Sequence, residues 1–155
     1  SGDGRVITVV SGGMYFQSLP LDDLQSEQGD YNGTLAYARA KRAATALIRE
    51  WSRRYHGRVR FDAMHPGWAD TPGLAESLPA FYGAMGPLLR TPAEGVDTIT
   101  WLATERDIQG PDGRLYLDRR ARPFDRLRST RLSASQRRLL WDEVVRLTDA
   151  PDPEA

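Results

Sequence analysis

A run of β-branched residues near the start of the chain gives its clearest strand pattern. Residues 5–10 read Arg-Val-Ile-Thr-Val-Val, with Gly4 before them and Ser-Gly-Gly after them at 11–13. Apolar residues at consecutive rather than alternate positions are typical of strands in parallel sheets, which are covered on both faces. We therefore expect a strand at 5–10 that is buried on both faces.

A helical pattern follows this strand. Thr34 is a candidate cap for a helix that runs to about Tyr55, and Gly57 stands just past its end. Four apolar residues at helical spacing would lie on one face: Leu47, Ile48, Trp51 and Tyr55. Residues 59–65 are a second strand candidate, which is stopped by Pro-Gly at 66–67. Strand, helix and strand in this order imply a right-handed crossover between parallel strands, so the predicted fold class is α/β.

The chain between 68 and 90 is rich in Pro, Gly and Ala and has scattered aromatic residues. This composition predicts short helical pieces in a mobile segment rather than one regular element. Its large side chains could form an apolar cover over a site: Trp68, Leu74, Leu78, Phe81, Tyr82 and Met85.

Two capping boxes mark later helices. Thr-Pro-Ala-Glu at 91–94 predicts a helix through Ala103, and Ser-Ala-Ser-Gln at 133–136 predicts a final helix. The final helix would carry three apolar residues on one face: Leu140, Val144 and Leu147. Residues 113–118, between the two helices, predict the last strand.

The segment 119–155 is interpreted as a basic connection, a terminal helix and an acidic end that frays, attached to a domain at 1–118. Eight arginines lie between Arg119 and Arg138, with Phe124 as the one aromatic residue among them. Arginine runs are usually solvated, and stacking on bases needs aromatic rings, so nucleic-acid binding is disfavoured. Binding of an acidic partner is likewise a minor alternative to a solvated connection.

Composition excludes several kinds of site. The 155 residues include no cysteine and two histidines, which excludes disulfides and a thiolate nucleophile and gives no convincing metal site. Acidic and basic residues are equal at 21 each, so no overall field favours a membrane or nucleic acid. No apolar run approaches the ~20 residues of a membrane span, and the opening residues lack the pattern of an export signal. We therefore expect a cytoplasmic protein without a metal ion.

His65, before a proline, is expected to be a hydrogen-bonded residue at a strand end.

The single lysine of the chain, Lys41, stands four residues after Tyr37 in the predicted helix. Residues at this spacing share a helix face, and an ammonium beside a tyrosine favours the phenolate form that proton transfer uses. Ser11, at the end of the neighbouring strand, could hydrogen-bond a substrate oxygen. A Tyr–Lys pair alone is most often an exposed helix pair. The three groups together suit interconversion of a carbonyl and an alcohol, with the hydride supplied by a cofactor.

Three motifs occur in order at a strand end, on a helix and at the next strand end. They are Ser11, Tyr-Ala-Arg-Ala-Lys at 37–41 and His-Pro-Gly-Trp-Ala-Asp-Thr at 65–71. In this order they resemble the carboxyl-terminal half of the short-chain dehydrogenase/reductase family. Asp-Leu-Gln-Ser-Glu at 23–27, and the third motif with the Pro-Gly that follows it, most resemble the retinol-dehydrogenase-like branch. The resemblance covers residues 4–118 and implies the second half of a Rossmann-type, doubly wound parallel sheet.

The resemblance implies a role for each motif residue. The equivalent of Ser11 orients the carbonyl, the equivalent of Tyr37 is the general acid and base, and the equivalent of Lys41 favours the phenolate and binds the nicotinamide ribose. An NAD or NADP cofactor would be bound by these last two residues and by the residues after the second strand: Pro66, Gly67, Trp68 and Thr71. The apolar side chains of 68–90 suit a small apolar carbonyl or alcohol as substrate. A homodimer through the helix that carries Tyr37 and Lys41 is also implied.

One part of the family pattern has no counterpart in the chain. The glycines at 2, 4, 12 and 13 do not form Gly-x-Gly-x-x-Gly, the turn that binds the cofactor phosphates. Because a dinucleotide binds between the two halves of such a sheet, we expect the isolated chain to be an incomplete fragment, inactive or nearly so. A long apolar edge strand at 5–10 would also invite pairing with another chain. The alternative interpretation is a non-catalytic remnant or a partner-binding module.

Overall fold

The structure is a computed structural model that describes residues 4–151. The glycine at position 2 and the acidic end at 152–155 lie outside the described residues. The strands and main helices are β1 Gly4–Val9, α1 Gly33–Arg54, β2 Val59–Met64, α2 Pro72–Ser77, α3 Pro79–Met85, α4 Pro92–Thr104, β3 Leu115–Leu117, β4 Arg120–Arg122 and α5 Ala134–Thr148. Short 3-10 helices follow β1 at Gly12–Phe16, follow α3 at Gly86–Leu88 and precede α5 at Arg128–Thr130.

The strands form one sheet in the order β1-β2-β3-β4. β1 and β2 are parallel, with Gly4 opposite Val59 and Val9 opposite Met64, and β3 is parallel to β2. α1 packs on one face of the sheet through Ile48, and α4 packs on the other through Leu102. The predicted α/β class and the parallel pairing of the first two strands are confirmed.

The predicted burial of β1 on both faces is wrong. Val6 is 42% exposed and Val9 is 41% exposed, and these two side chains lie on opposite faces of the strand. β1 is the strand at one edge of the sheet, and α1 lies mainly over β2. Its residues are as apolar as those of a central strand, but its position leaves one edge and part of each face uncovered.

α1 begins two residues earlier than predicted. Asn32, not Thr34, caps the helix, and its side-chain oxygen accepts a hydrogen bond from the amide of Leu35 at 3.0 Å. Asparagine is at least as good a cap as threonine, and here Asn32 has the extended backbone that a cap requires. The end agrees with prediction, since the helix stops at Arg54 and Gly57 follows with φ of 74°.

α1 connects two parts of the core. Ile48 packs with Leu115 and other residues of the sheet, whereas Leu47 packs with Leu140 and Trp141 of α5. Both capping boxes predicted for α4 and α5 are present. Leu147, predicted on the apolar face of α5, is exposed instead.

The hairpin of β3 and β4 was not predicted. Asp118 and Arg119, between the strands, both have φ of 55°, the conformation of a two-residue turn that usually contains glycine or asparagine. Arg119 compensates through contacts with α4, since its Nε donates to Asp97 at 2.8 Å and its amide to Thr98 at 3.1 Å. The predicted strand at 113–118 is therefore shorter, and part of the arginine run is a strand rather than a connection.

Arg42 joins the segment after β4 to α1. Its side chain is buried, at 2% exposure. Its guanidinium donates to the carbonyl of Phe124 at 2.7 Å, to the carboxylate of Asp125 and to the carbonyl of Thr130. One side chain thus satisfies several acceptors of a segment that has little regular structure.

Replacement of Arg42 should strongly destabilise the chain. We expect Arg42→Ala to lower the free energy of unfolding by about 3 kcal/mol or more, because it leaves buried acceptors and the Asp125 carboxylate without their donor. Urea unfolding measures this effect. The matched control is Arg58→Ala at an exposed position, which should change stability by less than ~0.5 kcal/mol. Equal effects of the two substitutions would contradict the role given to Arg42.

Candidate active site

The carboxyl ends of β1 and β2 lie side by side at one edge of the sheet. Val9 is opposite Met64, and the amide of Val10 donates to the carbonyl of Met64 at 2.8 Å. Ser11 follows one strand and Pro66 follows the other. Parallel pairing therefore brings the predicted site residues after each strand to the same edge, which is where α/β sheets bind their ligands.

Ser11 begins the 3-10 helix that follows β1. Its hydroxyl oxygen accepts a hydrogen bond from the amide of Gly13 at 3.4 Å. A hydroxyl that accepts one bond keeps its own proton to donate. Ser11 is therefore able to donate to an oxygen placed beside the end of β1.

Lys41 connects α1 to the end of β1. Its Nζ donates to the carbonyl of Val9 at 3.1 Å and lies 5.6 Å from the centre of the Tyr37 ring. Tyr37 is 55% exposed, so its hydroxyl is accessible to a substrate. The structure brings Tyr37, Lys41 and Ser11 to the same strand end, with the ammonium held between the ring and the backbone.

Gly67, after β2, needs the freedom of glycine for two reasons. Its φ is 76°, and a Cβ at this position would lie 2.8 Å from Nε of Arg90. Arg90 is itself fixed by Asp118, since its guanidinium donates to both carboxylate oxygens, with Nη2 to Oδ2 at 2.9 Å. The Arg90 side chain therefore lies directly against the backbone of the Pro-Gly turn.

The segment 68–90 closes on itself at its base. The amide of Arg90 donates to the carbonyl of Trp68 at 2.9 Å, and the amide of Asp70 donates back to the carbonyl of Arg90 at 2.7 Å. Trp68 packs on Phe81 with ring centres 4.5 Å apart, and the Tyr82 hydroxyl donates to Asp70 at 2.7 Å. The predicted short helical pieces are confirmed as α2 and α3. The mobility of the segment stays a prediction.

Thr71 has a structural task in addition to its predicted cofactor contact. Its side chain accepts a hydrogen bond from the amide of Leu74 at 3.3 Å and so caps α2. Pro66, Gly67, Trp68 and Thr71 form a second group at the end of β2. Within residues 4–151, no hydrogen bond, ion pair or ring contact joins this group directly to Ser11, Tyr37 or Lys41.

His65 differs from its prediction. It is 5% exposed, and neither ring nitrogen has a hydrogen-bond partner within residues 4–151, so the expected hydrogen-bonded histidine is wrong. The ring packs edge-on against Tyr15 with centres 5.8 Å apart. Burial, followed by the positive charge of Arg126, lowers the pKa of His65 from 6.5 to about 4. His65 is therefore neutral near pH 7 and packs against Tyr15 as an apolar ring would. Its place before a proline gave no signal of this role.

Two kinds of feature are absent from residues 4–151. No group of three or more histidine, aspartate and glutamate side chains is arranged to hold a metal ion. None of the helices in this range combines the length and apolar character that crossing a bilayer requires.

Comparisons with known proteins agree with the motif order. No family model matches the chain. It is 45% identical over 119 residues to human dehydrogenase/reductase SDR family member 12, an alignment that covers 76% of this chain and 37% of that protein. It is 34% identical over 151 residues to mouse retinol dehydrogenase 14, covering 92% of this chain and 43% of that protein. The chain thus spans less than half the length of these curated relatives, in their carboxyl-terminal part.

A solved structure supports the same comparison. A crystal structure of an uncharacterized protein from Mycobacterium paratuberculosis superposes with a TM-score of 0.67 and 26% sequence identity. The match covers 97% of this chain and 52% of that one. The arrangement of the described elements therefore occurs as about half of a larger fold.

The buried His65 should make stability depend on pH. Between pH 6.5 and about 4 the unfolded chain binds a proton at this histidine and the folded chain does not, so stability falls as pH is lowered through this window. We expect His65→Phe to remove about 2 kcal/mol of the stability difference between pH 7 and 4.5, measured by urea unfolding. His56→Phe, the same substitution at an exposed histidine, is the matched control for replacing histidine with phenylalanine. An unchanged dependence in His65→Phe would refute the assignment.

Gly67→Ala should lower the free energy of unfolding by more than the same substitution at another glycine with a positive φ. Gly57→Ala is the matched control, because Gly57 has φ of 74° with no atom within 4 Å of an added Cβ. Both substitutions strain the backbone, but only Gly67→Ala displaces Arg90. We expect Gly67→Ala to lower the free energy of unfolding by about 1 kcal/mol more than the control, measured by thermal or urea unfolding. Equal losses would show that Arg90 moves away without cost.

Proposed function

This chain belongs to the short-chain dehydrogenase/reductase family, and we propose that it carries the catalytic residues of an NAD- or NADP-dependent enzyme that interconverts a carbonyl and an alcohol. The observation that carries the proposal is the position of Lys41. Its ammonium lies against the Tyr37 ring and bonds the end of the strand that Ser11 follows. The relatives of the chain are oxidoreductases by name, which agrees with this proposal.

Each group has a role in reduction of the carbonyl. Ser11 donates a hydrogen bond to the substrate oxygen and holds it beside Tyr37. The Tyr37 hydroxyl transfers its proton to that oxygen as the carbonyl becomes an alcohol, and the Lys41 ammonium stabilises the phenolate that remains. In oxidation of the alcohol the same proton returns to Tyr37.

The described residues fit part of a nicotinamide cofactor. Lys41 has three N–H groups, of which Val9 receives one, so two remain for the hydroxyls of a ribose. The cofactor supplies or accepts the hydride when it is bound. The Gly-rich phosphate turn of the family is not present in the 155 residues, so the chain alone provides an incomplete site. We therefore propose that this chain by itself has little or no activity.

The segment 68–90 supports an apolar substrate. Trp68, which follows the Pro-Gly turn, packs against Phe81 with its ring tilted by 45°, and Trp68 remains partly exposed. An apolar carbonyl compound that binds to such a surface gives up few hydrogen bonds to water. Retinoids, which the name of one relative indicates as its substrate, belong to this class.

A second candidate is a non-catalytic module that binds another chain. The open edge of β1, with Val6 and Val9 exposed, is the observation in its favour, because an uncovered apolar edge can accept an added strand. Another copy of this chain is one such partner, in a homodimer through α1. α5 already covers part of that helix, through Leu47.

Tyr37→Phe tests the catalytic assignment. The substitution removes the proton donor but keeps the ring beside Lys41, so we expect kcat to fall at least ~100-fold. The assay follows NADH and NADPH oxidation with apolar aldehydes that include retinaldehyde. It uses the natural polypeptide that carries this sequence, at whatever length it has, and the 155-residue chain in parallel. The matched control is Tyr31→Phe, which removes a hydroxyl from another exposed tyrosine near the start of α1 and should keep full activity.

The outcomes separate the two candidates. An active natural polypeptide whose Tyr37→Phe variant keeps its kcat would overturn the catalytic set. Steady turnover by the 155-residue chain alone would overturn the proposed inactivity. Absence of saturable NADH and NADPH binding by the natural polypeptide, measured from cofactor fluorescence, would favour the module that binds another chain.

A further inference from the structure

A groove of about 470 Å³ lies beside the hairpin of β3 and β4. Its walls are the turn before β3, the segment after β4 and the middle of α1. Five arginines line it: Arg49, Arg114, Arg126, Arg128 and Arg131. None of the residues proposed for catalysis or cofactor binding lines this groove.

The groove carries an excess of positive charge, although the chain as a whole is neutral. None of its five arginines forms an ion pair within residues 4–151. Two carboxylates also line it, but Asp125 is already bound to Arg42, which leaves Asp112. The lining of the groove therefore has five guanidinium groups and one carboxylate, Asp112, that is not paired with Arg42.

The segment that carries three of these arginines is fixed in place. The buried Arg42 holds the carbonyls of Phe124 and Thr130, so both ends of the segment are attached to α1. The Tyr15 hydroxyl also donates to the carbonyl of Pro123, at 3.2 Å. The cationic side chains thus project from an anchored backbone rather than from a free tail.

Aromatic rings orient two of the guanidinium groups. Arg126 lies 4.9 Å from the ring centre of Tyr15, and Arg49 lies 5.5 Å from that of Phe124. Burial, and then the like charge of Arg137, lowers the pKa of Arg49 from its usual range, and Arg131 acts in the same direction. Arginines that repel one another and lack carboxylate partners form a surface suited to an anion.

We propose that this groove binds a compact ligand that carries two or more phosphate groups. Its volume lies within the ~300–1,000 Å³ typical of small-molecule sites. Guanidinium groups match phosphate oxygens in geometry and charge. An extended nucleic-acid strand fits less well, because the single aromatic ring of the lining, Phe124, is already covered by Arg49 and offers no stacking platform.

Calorimetric titration of the chain with sodium tripolyphosphate tests the proposal. We expect saturable binding at low salt that weakens as salt rises, because the contacts are ionic. The triple variant Arg126→Gln/Arg128→Gln/Arg131→Gln should weaken binding at least ~tenfold. The single variant Arg49→Gln, which leaves the anchored segment intact, should weaken it at least ~threefold.

The matched control removes the same net charge elsewhere. Arg58→Gln/Arg106→Gln/Arg138→Gln changes three exposed arginines outside the groove and should keep the affinity within about twofold. Thermal unfolding followed by circular dichroism establishes that both triple variants are folded. Lys41→Ala should bind tripolyphosphate as the unmodified chain does, which separates this groove from the proposed cofactor site.

Three results would overturn the proposal. The first is absence of saturable binding, or equal weakening by the two triple variants, which would mean a response to net charge alone. The second is citrate binding as tightly as tripolyphosphate, which would mean a site for anions in general. The third is displacement of tripolyphosphate by a single-stranded oligonucleotide of higher affinity, which would mean a nucleic-acid surface.

Discussion

The parallel pairing of β1 with β2 is the constraint on which the rest of the molecule depends. It places Val9 opposite Met64 and so ends both strands at one edge of the sheet. α1 must cross back over the sheet to connect the two strands, and this crossing brings its first turns to the same edge. Because of this pairing, Ser11 and the Pro-Gly turn follow neighbouring strand ends, and Lys41 bonds the end of β1, although the three are far apart in sequence.

The hydrogen bond from Lys41 to Val9 links this architecture to the proposed chemistry. The backbone carbonyl of Val9, at the end of β1, accepts a hydrogen bond from the Lys41 ammonium. The same ammonium lies beside Tyr37, so the contact that satisfies the strand end also fixes the charge near the hydroxyl. The flexible Lys41 side chain is held in this way while Tyr37 stays exposed.

Arginine has two separate uses in this chain, and burial decides between them. Arg42 is buried and donates to several acceptors of the segment after β4, so it stabilises the fold by fixing that segment. Arg126 lies on that fixed segment and lacks an ion pair among the described residues, so its charge is available to a ligand. The first arginine therefore gives the second a defined position, which a solvated arginine run would not have.

The sequence by itself determined the features that depend on a few neighbouring residues, such as helix caps and the ends of strands. Capping boxes fixed the starts of α4 and α5, the apolar runs and the Pro-Gly stop located β1 and β2, and the order of three motifs identified the family. The tertiary structure decided what depends on neighbours. It exposed Val6 by placing β1 at the edge, and it buried His65 with no hydrogen-bond partner within residues 4–151. It also formed a hairpin turn at Asp118 and Arg119, supported by contacts with other elements. Hydrogen bonds and caps act over a few residues and can be inferred from a sequence, whereas burial and ion pairing depend on which distant segment covers a side chain.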